Sequence, residues 1–426
     1  MTNNKHPSIL EDLEDHLFAS IEKARRAPFY KKRILKPITD WSDFYKIPFT
    51  TKQDLREGYP FSFLAVPIEE VAVYFESSGS SGEPTSSFFT EKDMNDMAAR
   101  FARNGVELNQ KDRVLVKTPY SLLTTGHQAH LGTRIKGGMV VPADNRSSLM
   151  PYTRVIRLLH DLEITVSWSL PTEPIIWSEV ARKMGFRPEK DFPHLRAFVV
   201  AGEILSDTKR RRIEEIWGGV PVFQDYGSTE TGSLAGECPY KNLHLWSDRF
   251  LFEVYDPITG QTNRKGTGQL IVTTLFREAM PLIRYNMEDV VDISDEVCPC
   301  GSPFPKVQIL GRRSDEVIIQ GKKYMPIDLE NLVYSLPIER KVLFWRARYS
   351  NNQLLVQIEA PSDQAKFAQT DLEDRIRMHL GIRARVEPVP PGTILSENTL
   401  IRKMGFAKPK FLFKDDEDWS NALQYQ

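Results

Sequence analysis

Three cysteines in 426 residues are few, and odd in number, so no disulfide framework is expected and a reducing compartment is. No stretch approaches ~18 uninterrupted apolar residues, so the sequence offers no helical membrane span. Neither sign of charge is in excess: 56 Lys+Arg against 57 Asp+Glu give a net charge of −1. Composition therefore favours neither nucleic acid nor a membrane surface as partner. The opening MTNNKHPSILEDLEDHL lacks an apolar core segment and does not read as a secretory signal. Internal repeats and low-complexity tails are lacking too. What remains is a cytoplasmic globular protein, long enough for two domains of unequal size. The basic run Lys209 to Arg212 is expected on the solvated face of a helix.

What is present is an alternation. Apolar runs at 71–75, 113–119, 138–144, 164–170 and 196–203 predict buried strands, with helical patterns over 148–163, 172–185 and 206–218. The expected fold is α/β: a large N-terminal domain with mainly parallel sheets flanked by helices. From about residue 245, FLFEVYDPITGQTNRKGTGQLIVTTLF adds an antiparallel portion of hairpin-like strands. A boundary near Gly311 divides a larger domain, 1–311, from a small α+β C-terminal domain, 312–426. In the latter a helix is expected to open at Thr370, with Glu373 completing a capping box and Leu372, Ile376 and Leu380 on its buried face.

Two stretches carry chemistry. SSGSSGEPTSSFFT, residues 77–90, concentrates hydroxyls and backbone freedom, which suits it to wrapping phosphate oxygens; the alternative is a flexible surface loop. FQDYGSTETG, residues 223–232, sets a carboxylate among hydroxyls, and Glu230 is the candidate Mg²⁺ ligand because Mg²⁺ prefers hard oxygens. Separately, Cys238 and His244 form a C-x5-H pair, and Cys298 and Cys300 a later C-x-C-G. Thiolates and imidazole in a set of four suit a closed structural Zn²⁺ site; the alternative is unpaired buried cysteines.

The loop, Ala201-Gly202-Glu203, the DYGSTE turn, Asp289 in RYNMED and Arg312 in GRRSDE follow one another in an order that resembles the adenylate-forming enzymes. In detail the chain resembles the phenylacetate–CoA ligase family, and RAPFYKKRI, KIPFTTKQDLREGYPF and ECPYKNLHLWSD extend the likeness over most of its length. The resemblance implies ATP, Mg²⁺ and coenzyme A, an acyl-adenylate intermediate, an aromatic acid as substrate and a mobile C-terminal domain. It implies that Ser77, Ser78, Gly79, Ser80, Ser81, Gly82 and Thr85 hold the β- and γ-phosphates, and that Thr229 and Glu230 contact the α-phosphate and Mg²⁺. Asp225, Tyr226, Gly227 and Ser228 would belong to the same site, with Tyr226 flanking the adenine. Ala201, Gly202 and Glu203 would line the adenine, Asp289 would take the ribose hydroxyls, and Arg312 would reach ribose or phosphate.

For the family's catalytic lysine the best match is Lys408, with Lys403 and Lys410 as competitors. The acyl pocket would draw on Tyr120, His127 and His130 together with Gly202, Tyr226 and Gly227, and Gln128 beside His127 points to an amino or hydroxyl group on the acid. The chain departs from the family pattern at Glu83, where lysine is usual, and at Ser314, where the hinge usually has aspartate. Three readings stay open: transfer to CoA, transfer to a carrier-protein thiol or an amine, and nucleotide binding without turnover. A homodimer is a further expectation from the likeness.

Overall fold

The computed structural model describes residues 8–77, 83–145, 147, 149–350, 353–402, 409–420 and 422. Ser78, Gly79, Ser80, Ser81, Gly82, Lys403 and Lys408 lie outside these residues. The chain divides into two compact units.

One unit comprises residues 108–119, 137–224 and 310–426. Its parallel strands stand in the order Met139–Pro142, Arg113–Val116, Val166–Ser169, Ala197–Val200 and the start of Val222–Ser228. Parallel neighbours need long crossovers, which helices Tyr152–Asp161, Glu173–Lys183 and Asp207–Ile216 supply. Strands covered on both faces must be apolar throughout, and Ala197–Val200 is buried at all four positions. Leu115, Ile156, Trp177, Phe198, Ile213 and Trp217 are central to this core.

The same core continues into the C-terminal part of the chain through Leu329, Val333, Trp345, Val356, Leu372 and Ile376. There, four strands run in the order Ala384–Val389, Gln353–Glu359, Trp345–Ser350, Leu412–Phe413. The expected helix start at Thr370 is incorrect. The helix spans Ala365–Leu380, Thr370 Oγ1 bonds back to the Lys366 carbonyl within it, and Glu373 accepts from Val386 N instead of capping. Leu372 and Ile376 are fully buried as expected.

The other unit comprises residues 1–107, 120–136 and 225–309. Its antiparallel meander Phe250–Tyr255, Gly266–Thr274 and Tyr285–Ser294 answers to the hairpin-like pattern in the sequence. Helix Glu91–Phe101 starts at a full capping box between Thr90 and Asp93. It lies close to helix Thr124–Ile135, where Gly132 leaves room for the Phe101 ring.

The apolar run at 71–75 leads into a strand, Val73–Glu76, but not one of the parallel sheet. The hydroxyl-rich loop joins it to an antiparallel strand, Ser86–Phe89, in a separate two-stranded sheet. The polar sequence Ser86-Ser87 conceals the second strand, yet all four of its residues are buried. Among the described residues no helix is long and apolar enough to cross a membrane.

Candidate active site

Strand Val222–Ser228 turns through Thr229, Glu230 and Thr231 into strand Gly232–Glu237. Gly227 faces Ser233 and Ser228 faces Gly232 across the hairpin. A β-carbon on Gly227 would run into the Gly232 carbonyl, and Gly232 itself has φ +66°, so the crossing requires glycine twice. Thr231 Oγ1 accepts from Ser228 N at 3.3 Å and stands 3.1 Å from Ser228 Oγ, which closes the turn.

Glu230 is thereby buried, 5 % exposed, and its Oε1 accepts from Thr85 Oγ1 at 2.6 Å. Thr85 is itself fixed to Ser77: Thr85 N donates to Ser77 Oγ at 2.9 Å, and Ser77 N donates to Thr85 O at 3.0 Å. Ser77 and Thr85 are thus tied to each other, and Thr85 joins them to the acidic turn. Beyond Gly82 the Glu83 carbonyl accepts from Arg56 Nε at 2.8 Å.

Tyr226 is buried and its hydroxyl donates to Asp289 Oδ2 at 2.6 Å, joining the proposed adenine and ribose contacts. Asp225 turns inward. Its carboxylate takes Ser233 Oγ at 2.7 Å and Gln128 Nε2 at 3.5 Å, and burial pushes the carboxyl up to about 7. On the segment expected to line the acyl pocket, Tyr120 OH lies 3.3 Å from His130 Nδ1, and His127 Nε2 lies 3.0 Å from the Tyr120 carbonyl. Burial, then the charges of His127 and Arg134, holds His130 below the usual histidine range.

In the other unit, Ala201 N donates to Ser169 O at 3.2 Å and Gly202 takes φ +89°. Glu203 accepts from Thr172 Oγ1 at 2.5 Å and faces Lys209 Nζ at 3.5 Å. Arg312 is half-buried, and Lys410 pairs with Glu417 at 2.6 Å.

A relative answers to these motifs: phenylacetate–coenzyme A ligase of Thermus thermophilus is 33 % identical over 326 residues, covering 73 % of this chain and 72 % of that protein. Residues 18–255 match the family described as AMP-binding enzyme. The chain belongs to the phenylacetate–CoA ligase family of AMP-binding enzymes. The enzyme of the same name from Pseudomonas putida is 28 % identical over 86 % of this chain and 87 % of its own. In fold, the chain is similar to a 2-hydroxyisobutyryl-CoA ligase crystallised with its acyl-adenylate, with TM-score 0.85, 22 % identity, and coverage of 96 % and 91 %. This family member is thus an adenylate-forming enzyme, an AMP-forming acid–thiol ligase.

The ligase also gathers its cysteines. Cys238 Sγ lies 3.7 Å from Cys298 Sγ, and Cys300 Sγ lies 3.4 Å from His244 Nε2. All four ligand atoms fall within 4.8 Å of one another. His244 Nδ1 stands 2.8 Å from the Phe304 carbonyl, a contact that leaves Nε2 turned toward the thiols.

Several buried charges escaped sequence reasoning. The run Lys209 to Arg212 is not a solvated face: Lys209, Arg210 and Arg212 are buried, and only Arg211 is exposed. Arg210 donates to Val222 O, and Arg212 to the carbonyls of Val342 and Leu336. Lys117, fully buried, donates to Asp144 O at 2.7 Å, and Glu173 is pushed up to about 8 by burial. Arg100 and Arg277, both buried, flank the acidic turn. Charged residues beside apolar runs read as surface in sequence; only the packing reveals otherwise.

Proposed function

We propose that this ligase activates an aromatic carboxylic acid with ATP and passes the acyl group to the thiol of coenzyme A. The observation that carries the reading is the Thr85–Glu230 bond, which brings the base of the phosphate loop onto the acidic turn. In the first step an oxygen of the acid attacks the α-phosphorus, and the bond to the leaving pyrophosphate breaks. In the second, the sulfur of CoA attacks the acyl carbon and AMP leaves. Neither step needs a covalent bond to the protein, so its task is to align reactants and to offset phosphate charge.

Glu230, with the Thr85 hydroxyl bonded to it and Thr229 next to it in sequence, would offer hard oxygens of the kind Mg²⁺ takes. A bound Mg²⁺ would supply charge neutralisation on the phosphates. Tyr226 and Asp289 would hold adenine and ribose, with Ala201, Gly202, Glu203 and Arg312. Lys408 remains the assigned catalytic lysine, and residues 312–426 a mobile domain that follows an adenylating domain of 1–311. Tyr120, His127 and His130 would shape a pocket for a flat ring. The three unpaired cysteines favour a cytoplasmic setting.

The cysteine cluster is proposed as a structural Zn²⁺ site. With Zn–S near 2.3 Å and Zn–N near 2.0 Å, tetrahedral geometry places two sulfurs about 3.8 Å apart and sulfur and nitrogen about 3.5 Å apart. The spacings of 3.7 and 3.4 Å fit that donor set. Elemental analysis of protein purified without chelator is expected to find one zinc per chain, and Cys298→Ser to lower the melting temperature while sparing turnover. Zinc-free protein of unchanged stability would remove the assignment.

The function itself is tested by pyrophosphate release from ATP and Mg²⁺ across aromatic and aliphatic acids, each with and without CoA. Release stimulated by an aromatic acid, with acyl-CoA formed, is the expected result. An adenylate that accumulates with CoA and is discharged only by a carrier protein or an amine would change the acceptor. ATP binding without acid-dependent release would leave a non-catalytic nucleotide-binding protein.

A further inference from the structure

We infer that Arg100 is a positioning residue for the ATP-dependent step, acting through the backbone of the acidic turn. The inference rests on the reading of Glu230 as the metal-facing carboxylate. Arg100 lies at the end of helix Glu91–Phe101 and is 2 % exposed. Its guanidinium spends one arm on the Ser233 carbonyl and the other on the Thr231 carbonyl, at 3.1 Å. Nε donates to Asp96 Oδ2 at 2.9 Å, and the group lies over the Phe250 ring, 4.8 Å from its centroid. Thr231 follows Glu230 directly, and its carbonyl lies in the Thr231–Gly232 peptide, so the arm anchors the turn one peptide beyond the residue that carries the carboxylate.

A second buried guanidinium does the same for the opposite partner of the Thr85–Glu230 bond. Arg277 donates to Phe88 O at 2.6 Å and to Ser87 Oγ at 3.3 Å, both in the strand that Thr85 enters. Asp93 links the two systems. It caps the helix that carries Arg100 in its last turn, stands 3.6 Å from Arg277 Nε, and accepts from the backbone of Glu278 and Ala279 at 2.7 and 2.9 Å. The two arginines, Asp93 and Thr231 line one small polar cavity. Arg277 thus holds the strand after the loop and Arg100 the acidic turn, and one helix meets both, through Asp93 and through Arg100 itself.

Arginine is required for geometric reasons. Two carbonyls two residues apart, on Thr231 and Ser233, match the planar fork of a guanidinium, whereas an ammonium is a point donor. A glutamine reaches with one NH₂ group and no charge. Removing a partner that orients a metal ligand typically costs about 10–100-fold in metal affinity or activity.

The test measures pyrophosphate release at saturating acid while Mg²⁺ is titrated, for the full-length wild type, R100K, R100Q and E230Q, with melting curves for each. Expected is a rise in the Mg²⁺ half-saturation of about tenfold or more for R100Q and a smaller rise for R100K, with the KM for the acid nearly unchanged. A general loosening of the fold would move the KM for the acid as well, and restoring the fork-holding charge as lysine would not rescue it. If R100Q does not fold, R100K decides. A wild-type Mg²⁺ dependence in a folded R100 variant, with E230Q inactive, overturns the role of Arg100 alone. Full activity in E230Q overturns the reading of Glu230 and this inference with it.

Discussion

Glu230→Gln is expected to lower acid-dependent pyrophosphate release by about a hundredfold or more, the scale for losing a preorganised charge contact in the transition state. The substitution is isosteric, and the amide oxygen can still accept from Thr85 Oγ1, so the hairpin that carries residue 230 should remain folded. What disappears is the negative charge, and with it the hard donor a divalent cation prefers. Melting temperature within error of wild type, together with the loss of release, would separate chemistry from folding. Release near the wild-type rate would show that the acidic turn does not hold the metal.

The second large effect concerns stability. Lys209 is fully buried between Glu330 Oε2 at 3.1 Å and Glu203 Oε2 at 3.5 Å. Burial pulls its ammonium down, but the carboxylates of Glu330 and Glu203 outweigh that and hold it above the ordinary lysine range. Glu330 is further tied by Ser206 N at 2.9 Å, so the cation cannot be replaced by a shift of its partners. Lys209→Met leaves two carboxylates in the core facing each other without a cation. Losing one member of such a buried set costs about 3–5 kcal/mol, against ~1 kcal/mol or less for an exposed pair. Denaturant unfolding should register the loss in full. A Lys209→Met, Glu330→Gln double variant should recover part of it, because one stranded charge is then gone; a double variant worse than the single would mean that the pair is not the source.

The repeating layers were legible because a strand buried on both faces has to be apolar, as Ala197–Val200 is, and because a crossover helix such as Tyr152–Asp161 shows one buried stripe. The set of three cysteines and His244 was legible because soft ligands are rare in this chain and occur in two short spacings, C-x5-H and C-x-C-G. Strand Ser86–Phe89 was not, since two serines look like loop until a partner strand covers them. Arg100, Lys209 and Lys117 were hidden for a related reason. A charge in a helix or after a strand is ordinarily solvated, and its burial depends on which carbonyls and carboxylates arrive from residues more than a hundred positions away, or nearly thirty in the case of Lys117. The helix start misplaced at Thr370 has a local cause. A threonine can cap a helix from its first position or bond backward inside it, and the sequence alone does not distinguish the two.

The paired glycines of the acidic hairpin constrain how this enzyme can change over generations. Gly227 has no space for any side chain and Gly232 holds a left-handed backbone against the side chain of Met97, so both positions are closed to drift. If the half-buried rings at positions 120, 127 and 130 shape the acyl pocket as proposed, a new acid would be accommodated there, where a changed side chain leaves the crossing of the hairpin untouched.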